Sequence, residues 1–531
     1  MGKGKLDINY EQQNRSPIPI NVGNVKQILC DDFFLTMAIK WDQLFYNVKF
    51  ANGIVQKHGS RVMVGDDQPW ETSLAWSNVI KENNLYRLWY MSWRPIYDPI
   101  SGKNEDDRSY RKVSYAESKD GIHWVKPKLG IIDVDGSTEN NVVYDGGFQG
   151  YKTIDPIYHG SMELGNVFYD PNGLPDEQYK MVYAQFVARG ERQLRAESER
   201  LGIHLEVSGA LRGASSPDGI HWVRYPENIL GNLPDTQNLG MWDPTLEKYV
   251  IYHRSGATFG EINTWNYKVK GQRRGRAVGR MESDNFRSWT TSEVALAPDV
   301  LDGLNTDIYN SAYARHPDNP NVHYLFPSFY RHYEGTFEVQ VCTSRDNRNW
   351  TRICRDTFIP LGKPREFDSF MISVSPGIVK VDDTTWALYY RSEERPHPGS
   401  APSTFKLGYK PQSGVSRVTF KEDRVIGIEA GKTKGHFSTR PLTFEGNELI
   451  INSEPLGSDG ELKVQLLSTE TRVGEAIPGY DFESCEPIKS DGTRTVVKWK
   501  GKNGLDSSIS RKSVRLHFNM QSTRIYAFQF I

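Results

Sequence analysis

Ser118-Lys119-Asp120-Gly121-Ile122-His123-Trp124 returns almost unchanged as Ser216-Pro217-Asp218-Gly219-Ile220-His221-Trp222. Two degenerate copies follow, Glu282-Ser283-Asp284-Asn285-Phe286-Arg287-Ser288-Trp289 and Thr343-Ser344-Arg345-Asp346-Asn347-Arg348-Asn349-Trp350. The four Trp residues are 98, 67 and 61 residues apart. Such intervals suit a four-stranded propeller blade with inserted loops better than a solenoid of short repeats. The motif therefore predicts a β-propeller.

The chemistry of the motif is that of a turn. Each copy follows a strand of alternating polarity and places Asp-Gly, Asp-Asn or Arg-Asp-Asn ahead of the Trp. Asp and Asn bond to their own backbone, and Gly accepts a positive φ without a Cβ clash. We expect the Trp to pack onto the sheet, so the motif is interpreted as structural.

The number of blades follows from the strands that precede the turns. Five segments alternate strongly and are predicted second strands of blades: 85–90, 179–183, 249–253, 322–326 and 385–390. The fifth turn motif is expected near residues 412–414 in an eroded form. From about residue 431, short strands continue without the motif. The prediction is an all-β fold, with a five-bladed β-propeller over 1–430 and a C-terminal β-sandwich over 431–531.

Composition excludes several classes of partner. Among 531 residues, 65 Lys and Arg balance 66 Asp and Glu, so no global field attracts nucleic acid or anionic membrane. The basic patch of Arg273, Arg274 and Arg276 is interpreted as a solvated loop. No apolar stretch reaches the roughly 20 residues that span a bilayer, and residues 1–14 lack the apolar core of a signal peptide. A periplasmic or extracellular location is expected after removal of a leader, with the cytoplasm as the alternative.

Cofactor chemistry finds no support in the sequence. The four Cys residues lack CxxC spacing, and we expect buried free thiols rather than a disulfide scaffold or a zinc site. No glycine-rich phosphate loop and no calcium loop is present. We therefore predict neither a metal nor a cofactor, and the expected partner is an oligosaccharide or polysaccharide; no oligomeric state is predicted.

Acidic residues recur where the innermost strands should begin. The predicted catalytic residues are Glu71, Asp235, Asp307 and Asp368, one from each of four blades. Blade 2 offers Asp155 and, further on, His159 and Glu163. Innermost strands converge on the propeller axis, so these side chains are expected to share one funnel.

Further polar residues are predicted to bind substrate. Asn238 and Asn310 close two parallel Asp-x-x-Asn segments, and the others lie near funnel strands or at the ends of second strands. The predicted substrate-binding residues are His159, Asn238, Arg254, Asn310, Arg331, His332 and Arg391. Structural ion pairs are an equally good interpretation for the four cationic residues at the second-strand ends.

Clustered carboxylates predict a reaction class. Neighbouring carboxylates repel, so one is held protonated while another stays ionised, which is the arrangement that glycoside hydrolysis requires. Glu71 is the predicted acid because its side chain is longer, Asp235 or Asp307 is the predicted base or nucleophile, and Asp368 assists. Inversion of configuration is favoured over retention.

The sequence resembles the superfamily of five-bladed propeller glycosidases that contains arabinanases, invertases and levansucrases. It is most similar to bacterial relatives of the invertase family, through the Asp-Gly-Ile-His-Trp turns, Pro69-Trp70-Glu71 and Asp235-Thr236-Gln237-Asn238. The resemblance covers nearly the whole chain and implies a glycoside hydrolase acting on a plant or algal oligo- or polysaccharide. The invertase signatures Trp-Met-Asn-Asp-Pro-Asn-Gly, Arg-Asp-Pro and Glu-Cys are missing from their expected places. Fructan specificity is therefore not carried over.

Two other functions are compatible with the pattern. A propeller of this kind could bind carbohydrate without catalysis, because a fold does not determine a function. A sialidase-like enzyme is the second alternative, since the turn motif is similar to the sialidase Asp-box. That class needs an arginine triad and a tyrosine nucleophile, which the sequence alone does not assign.

Overall fold

The computed structural model describes most of the chain. The described ranges are 18–36, 45–98, 103–134, 136–146, 162–185, 210–231, 234–257, 275–303, 305–398, 409–470, 474–510 and 512–531. Within them the regular structure is strand, with one 3-10 helix at Asp32–Phe34 and no α-helix. Helices long and apolar enough to cross a bilayer are likewise absent from these ranges.

The strands follow one another in three groups. Five precede the first blade: β1 (Ile20–Gly23), β2 (Gln27–Ile28), β3 (Phe45–Tyr46), β4 (Lys49–Asn52) and β5 (Gln56–Lys57). Twenty belong to the blade region: β6 (Ser73–Glu82), β7 (Leu85–Asp98), β8 (Lys103–Ser118), β9 (Val142–Tyr144), β10 (Met162–Tyr169), β11 (Tyr179–Gln185), β12 (Ala210–Ser216), β13 (Val223–Leu230), β14 (Leu239–Asp243), β15 (Lys248–Ala257), β16 (Gly275–Ser283), β17 (Glu293–Leu296), β18 (Thr306–Arg315), β19 (His323–Arg331), β20 (Thr336–Val339), β21 (Cys342–Ser344), β22 (Met371–Val374), β23 (Val379–Lys380), β24 (Thr385–Glu393) and β25 (Ser413–Lys421). Eight follow: β26 (Ile426–Ala430), β27 (Gly435–Ser438), β28 (Leu442–Phe444), β29 (Leu449–Pro455), β30 (Glu461–Ser468), β31 (Gly492–Val496), β32 (Val514–Gln521) and β33 (Thr523–Phe530).

Blades 1, 2 and 3 are separate antiparallel sheets of four strands in chain order, β6–β9, β10–β13 and β14–β17. Blade 4 is formed by β18 to β21, and blade 5 by β22 to β25 with β5 at its outer edge. One parallel pair, Phe337 with Met371, joins the last two blades into a nine-stranded sheet. The five predicted second strands lie within β7, β11, β15, β19 and β24, so the five-bladed propeller is confirmed.

The hydrophobic core of the propeller lies between blades. Each second strand is covered on both faces by neighbouring blades, and all seven residues of β11 are buried. Five clusters of buried apolar side chains join blade 1 to 2, 2 to 3, 3 to 4, 4 to 5 and 5 back to 1. The ring is therefore closed by packing, and burial of apolar surface stabilises every junction.

Closure also uses the start of the chain. β5 pairs with β25 through Lys57 with Val418 and Gln56 with Thr419, so an early strand completes the last blade. Lys26 adds a buried ion pair to Glu422 at 2.9 Å on the turn that follows β25. Such pairing removes a free sheet edge, which would otherwise be a site of aggregation.

The remaining strands form two six-stranded sheets around one core. One sheet has the order β1-β28-β32-β27-β3 with β30 on β32, and the other β31-β29-β33-β26-β4 with β2 on β33. Strands β1 to β4 and β26 thus join these sheets although they precede residue 431. Alternation of polarity shows that a strand exists but not which distant strand it pairs with, so the predicted boundary at 430 cuts through this sheet.

The turn motif has one geometry in four blades. In each, the Asp120, Asp218, Asn285 or Asp346 Oδ1 accepts two backbone N–H bonds from the residues two and three positions later. The position of the eroded fifth motif was wrong. Residues 413 and 414 begin β25, because the third strand of blade 5 runs to Lys421, and the turn lies at Asp423, where φ is +67°. All four Cys residues are buried free thiols, as expected.

Candidate active site

Two aromatic rings enter the funnel at irregularities of the innermost strands. The register shifts in β6 between Ala75 and Ser77 and in β18 between Ile308 and Asn310, which makes Trp76 and Tyr309 the extra residues of β-bulges. A bulge turns a side chain out of the regular alternation and is frequent beside active sites. The two ring centroids are 6.3 Å apart. Blades 1 and 4 therefore meet across the axis through these rings.

Side-chain hydrogen bonds hold the innermost strands in place below these rings. Ser77 bonds to Ser375 at 2.7 Å and joins blade 1 to blade 5, and the Val167 N–H donates to Asn78 at 2.8 Å and joins blade 2 to blade 1. The Gly240 N–H donates to Asn166 at 2.7 Å and joins blade 3 to blade 2, and Asn310 Nδ2 donates to Gln237 at 3.3 Å and joins blade 4 to blade 3. Rigid elements hold a site more accurately than loops do. The funnel floor is thus tied to all five blades.

Glu163 is a buried carboxyl at the start of β10. Its side chain is 9% exposed, and its Oε1 accepts a hydrogen bond from Arg111 at 2.6 Å. Burial raises the pKa of Glu163 to about 7; Arg111 opposes the shift and nearby Asp235 adds to it. The group can therefore carry a proton near neutral pH, as a general acid must.

Asp235 differs from Glu163 in its exposure. It lies ahead of β14 with its side chain 53% exposed, and Arg254 Nη1 donates to its carbonyl at 2.7 Å and to its Oδ2 at 3.1 Å. The two bonds from one guanidinium fix both the loop and the carboxylate. Asp235 is thus an accessible anion close to a protonatable buried acid.

Asp307 is the third carboxylate of the funnel. It lies on β18, is 5% exposed, and its Oδ2 is 2.7 Å from His332 Nε2. The His332 ring packs against Tyr330 at 4.1 Å. Because the imidazole is held by both contacts, its orientation relative to Asp307 is determined.

Two arginines and a histidine complete the lining. The guanidinium of Arg276 lies 4.1 Å from the Tyr309 ring centroid, and that of Arg391 lies 5.7 Å from the Trp76 ring. His397 Nε2 is 3.1 Å from the Tyr309 hydroxyl, and burial with nearby Arg276 lowers the pKa of His397 to about 3. The surroundings of His397 thus favour its neutral imidazole near neutral pH.

These residues are called the funnel cluster. Its members come from all five blades: Trp76, Arg111, Glu163, Asp235, Arg254, Arg276, Asp307, Tyr309, His332, Arg391 and His397. The members influence one another electrostatically. Burial is the largest effect on the pKa of Arg276 and lowers it, whereas Asp235 and Asp307 both raise it.

Two predicted catalytic residues have other surroundings. Glu71 forms an ion pair with Lys126 and accepts from Tyr90 at 2.8 Å, and its side chain is fully buried. Asp368 pairs with Lys57 at 2.7 Å and accepts from Tyr390 at 3.0 Å. None of these contacts belongs to the funnel cluster.

The similarity of these two sites extends to a third blade. Three carboxylates occupy equivalent positions in blades 1, 4 and 5: Glu71, Asp302 and Asp368. Each lies six residues before a residue of the innermost strand, and that residue is paired with an aromatic residue of the second strand. The three pairs are Ser77 with Tyr90, Ile308 with Phe329, and Val374 with Tyr390. Asp302 binds Arg352 through both carboxylate oxygens, at 2.5 and 2.6 Å. A buried carboxylate paired with a cation is therefore a repeated component of the blades.

The predicted substrate-binding residues divide in the same way. Arg254, His332 and Arg391 belong to the funnel cluster. Asn238 donates to the carbonyls of Pro234 and Thr236 and closes its own loop. Arg331 donates to Thr306 at 2.6 Å within blade 4, and Asn310 donates to Gln237 near the axis. His159 and Asp155 lie outside the described residues.

Several members of the funnel cluster were not predicted. Arg276 was assigned to a solvated loop, but it is the second residue of β16 and packs on Tyr309. Glu163 was noted but not chosen, although its position at the start of an innermost strand was the available signal. Trp76, Tyr309, Arg111 and His397 had no signal, since the bulges that orient the two rings have no shared sequence.

Comparisons with known proteins give weak matches. No family model matches the chain. Two uncharacterized proteins from strains of Mycobacterium tuberculosis are 24% identical over 122 residues, which is 22% of this chain. This chain spans 38% of the length of those curated relatives.

Solved structures with a similar arrangement of strands include several carbohydrate enzymes. An N-acetylgalactosamine deacetylase from F. plautii, solved with blood group B trisaccharide, is 13% identical with a TM-score of 0.42, over 71% of this chain and 97% of that chain. A thermostable family-43 glycoside hydrolase is 13% identical with a TM-score of 0.40, over 70% and 95%. A family 117 glycoside hydrolase from Zobellia galactanivorans is 11% identical with a TM-score of 0.37, over 72% and 92%. At TM-scores below 0.5 these likenesses transfer no residue roles to this chain.

Proposed function

We propose that the funnel cluster hydrolyses a glycosidic bond, with Glu163 as the general acid and Asp235 as the general base. The observation that carries the proposal is the contrast between these two carboxyl groups. Glu163 is buried with its pKa raised to about 7, whereas Asp235 is half exposed and held by Arg254. Two neighbouring carboxyl groups with opposed environments are the requirement for acid and base roles in one site.

The proposed reaction is a single displacement. Glu163 donates its proton to the glycosidic oxygen as the bond from that oxygen to the anomeric carbon breaks. Asp235 removes a proton from a water molecule, whose oxygen bonds to the anomeric carbon. The two proton transfers balance, and the configuration at the anomeric carbon inverts. Asp307, oriented by His332, binds a sugar hydroxyl or stabilises the developing positive charge of the ring.

Glu71 and Asp368 have a different place in this proposal. Their carboxylates are occupied by Lys126 and Lys57, so we assign Glu71 a structural role within blade 1 and Asp368 one within blade 5 rather than contact with the sugar. The catalytic roles that the sequence assigned to them stay predictions, which the variants below separate. A plant or algal polymer as substrate, and action outside the cytoplasm where such polymers occur, remain parts of the proposal that come from the resemblance.

An activity screen tests the proposal. Plant and algal oligosaccharides are incubated with the protein, and released sugars are detected by chromatography, with the anomeric configuration of the first product read by NMR. Turnover is expected for at least one substrate and should fall by orders of magnitude in Glu163→Gln and in Asp235→Asn. Binding without turnover across the panel would favour a non-catalytic carbohydrate-binding propeller.

A sialidase-like mechanism is the second candidate. Arg276 lies over the Tyr309 ring and Arg254 is within electrostatic range of Tyr309, and such a mechanism needs an arginine group and a tyrosine nucleophile. Burial raises the pKa of Tyr309, however, so the hydroxyl is not activated as a nucleophile in this state. The Tyr309→Phe variant distinguishes the two mechanisms. If Tyr309 is the nucleophile, loss of its hydroxyl abolishes turnover, whereas the carboxylate mechanism predicts only a modest decrease.

A further inference from the structure

The funnel cluster combines guanidinium groups with carboxyl groups. Its guanidinium groups are Arg111, Arg254, Arg276 and Arg391, and its carboxyl groups are Glu163, Asp235 and Asp307. Hydrolysis of a neutral sugar requires an acid and a base but no guanidinium without a carboxylate partner. The pairing of each guanidinium group therefore bears on what the cluster can bind.

One of the four guanidinium groups has no ion pair among the described residues. Arg111 is paired with Glu163 at 2.6 Å, Arg254 with Asp235 at 3.1 Å, and Arg391 with Glu393. Arg276 forms no ion pair with any residue that the structure describes. Its Nη1 is buried and has no hydrogen-bond acceptor among those residues.

Burying a guanidinium nitrogen without an acceptor is costly. Removal of an ionised group from water is unfavourable unless hydrogen bonds and an opposite charge replace the water. Tyr309 provides its ring face to Arg276 and accepts a hydrogen bond from it, and Asp235 and Asp307 lie within electrostatic range, so the charge is compensated in part. A bound anion would supply the acceptor that Nη1 lacks.

We propose that Arg276 binds the carboxylate of an acidic sugar, in a subsite over Tyr309, and that the substrate is an oligosaccharide containing this sugar. This proposal rests on the proposed function for the hydrolytic step, but the binding claim stands without it. A guanidinium matches the planar geometry of a carboxylate with two parallel N–H donors. Asp235 and Asp307 lie within electrostatic range of Arg276, so they would repel a dianion such as a phosphate monoester more strongly than the single charge of a carboxylate.

Calorimetric titration with free sugars tests the binding claim without any need for turnover. The probes are D-galacturonate, D-glucuronate and N-acetylneuraminate, each compared with D-galactose and D-glucose, and with galactose 6-sulfate as a non-carboxylate anion. At least one carboxylated sugar is expected to bind about tenfold more tightly than the neutral sugars. In Arg276→Gln that preference should disappear, and in Arg276→Lys it should be reduced.

A matched control comes from a second arginine that lies over a tyrosine. Arg287 lies 3.1 Å from the Tyr225 ring outside the funnel cluster and is paired with Glu177. Arg287→Gln should leave the preference for the acidic sugar unchanged. Circular dichroism of each variant verifies that the fold is retained, and Arg276→Lys keeps the charge if Arg276→Gln does not fold.

Three results would overturn the proposal: no binding of any carboxylated sugar at millimolar concentration, equal binding of neutral and carboxylated sugars, or a preference that survives in Arg276→Gln. Tighter binding of galactose 6-sulfate would replace the carboxylate by a sulfate ester and also contradict it. Binding of an acidic sugar without hydrolysis would leave this proposal standing and contradict the proposed function. Hydrolysis limited to neutral oligosaccharides would support the proposed function and contradict the proposal of an acidic-sugar subsite.

Discussion

Glu163 and Glu71 are both buried glutamates, and we assign them different roles because their neighbouring residues differ. Burial raises the pKa of each to about 7, although a cation opposes the shift in both cases. Glu71 is enclosed by Lys126, Asp67 and Tyr90, whereas Glu163 lies beside the exposed Asp235. A raised pKa alone is therefore a poor guide to catalysis, because structural networks produce it as well.

Glu163→Gln is expected to lower kcat/KM by about 10²- to 10⁴-fold, the usual contribution of a general acid. In the wild type the acid must be protonated, so kcat/KM should fall as the pH rises through about 7, the value to which burial raises the pKa of Glu163. Glutamine does not titrate, so the residual activity of the variant should be flat across this range. A decline above pH 7 that persists in the variant would assign the acid role to another group.

Glu71→Gln should have the opposite pattern. Turnover is expected to stay near the wild-type value, while the free energy of unfolding falls by about 1 kcal/mol because Lys126 loses one buried partner and keeps Asp67. Thermal melting and steady-state kinetics on the same preparation measure both. Loss of turnover with unchanged melting would restore Glu71 as the acid that the sequence predicted.

The sequence predicted some members of the funnel cluster and missed others. Asp235, Asp307, Arg254, His332 and Arg391 were chosen from their positions at strand ends, and they all lie in the funnel cluster. Position along a strand does not reveal where a side chain points when the strand contains a bulge. Lys126 and Lys57, which occupy Glu71 and Asp368, come from other strands of the blades, and no local pattern connects them.

At the scale of elements, the turn motif has a second task besides reversing the chain. In three blades the backbone carbonyl at its positive-φ position accepts a bond from the second strand of the preceding blade: Gly121 from Tyr389 (2.8 Å), Gly219 from Trp89 (2.7 Å) and Asn347 from Tyr252 (2.9 Å). The motif thus joins adjacent blades. The motif recurs once per blade in four of the five blades, so its spacing gave the approximate length of a blade.

Gly121→Ala should destabilise the protein more than Gly130→Ala. Both glycines have nearly the same φ, +72° and +74°, so the cost of the positive φ, about 1 kcal/mol, is shared. A Cβ at Gly121 would lie 2.3 Å from the Tyr389 hydroxyl, whereas nothing lies within 4 Å at Gly130. We expect Gly121→Ala to cost about 1–3 kcal/mol more through overpacking, as measured by denaturant unfolding. Equal costs would show that the turn does not need its contact with Tyr389.

At the scale of the whole molecule, strands from both ends of the chain share sheets. β5 completes the last blade, and β1 to β4 join the two sheets of the sandwich. Long alternating segments such as β7 and β19 could be predicted because their pattern is local. The two-residue strands β2, β3 and β5 could not, since they exist through partners hundreds of residues away.

Removal of residues 1–60 should prevent folding of both parts. The shortened chain lacks the outer strand of blade 5 and four strands of the sandwich, so unpaired sheet edges are exposed. We expect it to be insoluble, whereas a chain that starts at Ile18 retains every described strand and should melt with a wild-type profile. Soluble expression and melting of the two chains make the comparison. A soluble, cooperatively melting 61–531 chain would contradict the role given to these strands.

The central place of β33 has a consequence for synthesis on the ribosome. β33 pairs with β2, β26 and β29, and it follows all three in the sequence. During translation, β2 therefore emerges several hundred residues before the strand with which it pairs. A nascent chain stalled before Thr523 presents a sheet with unpaired edges, which exposes it to aggregation until β33 is added.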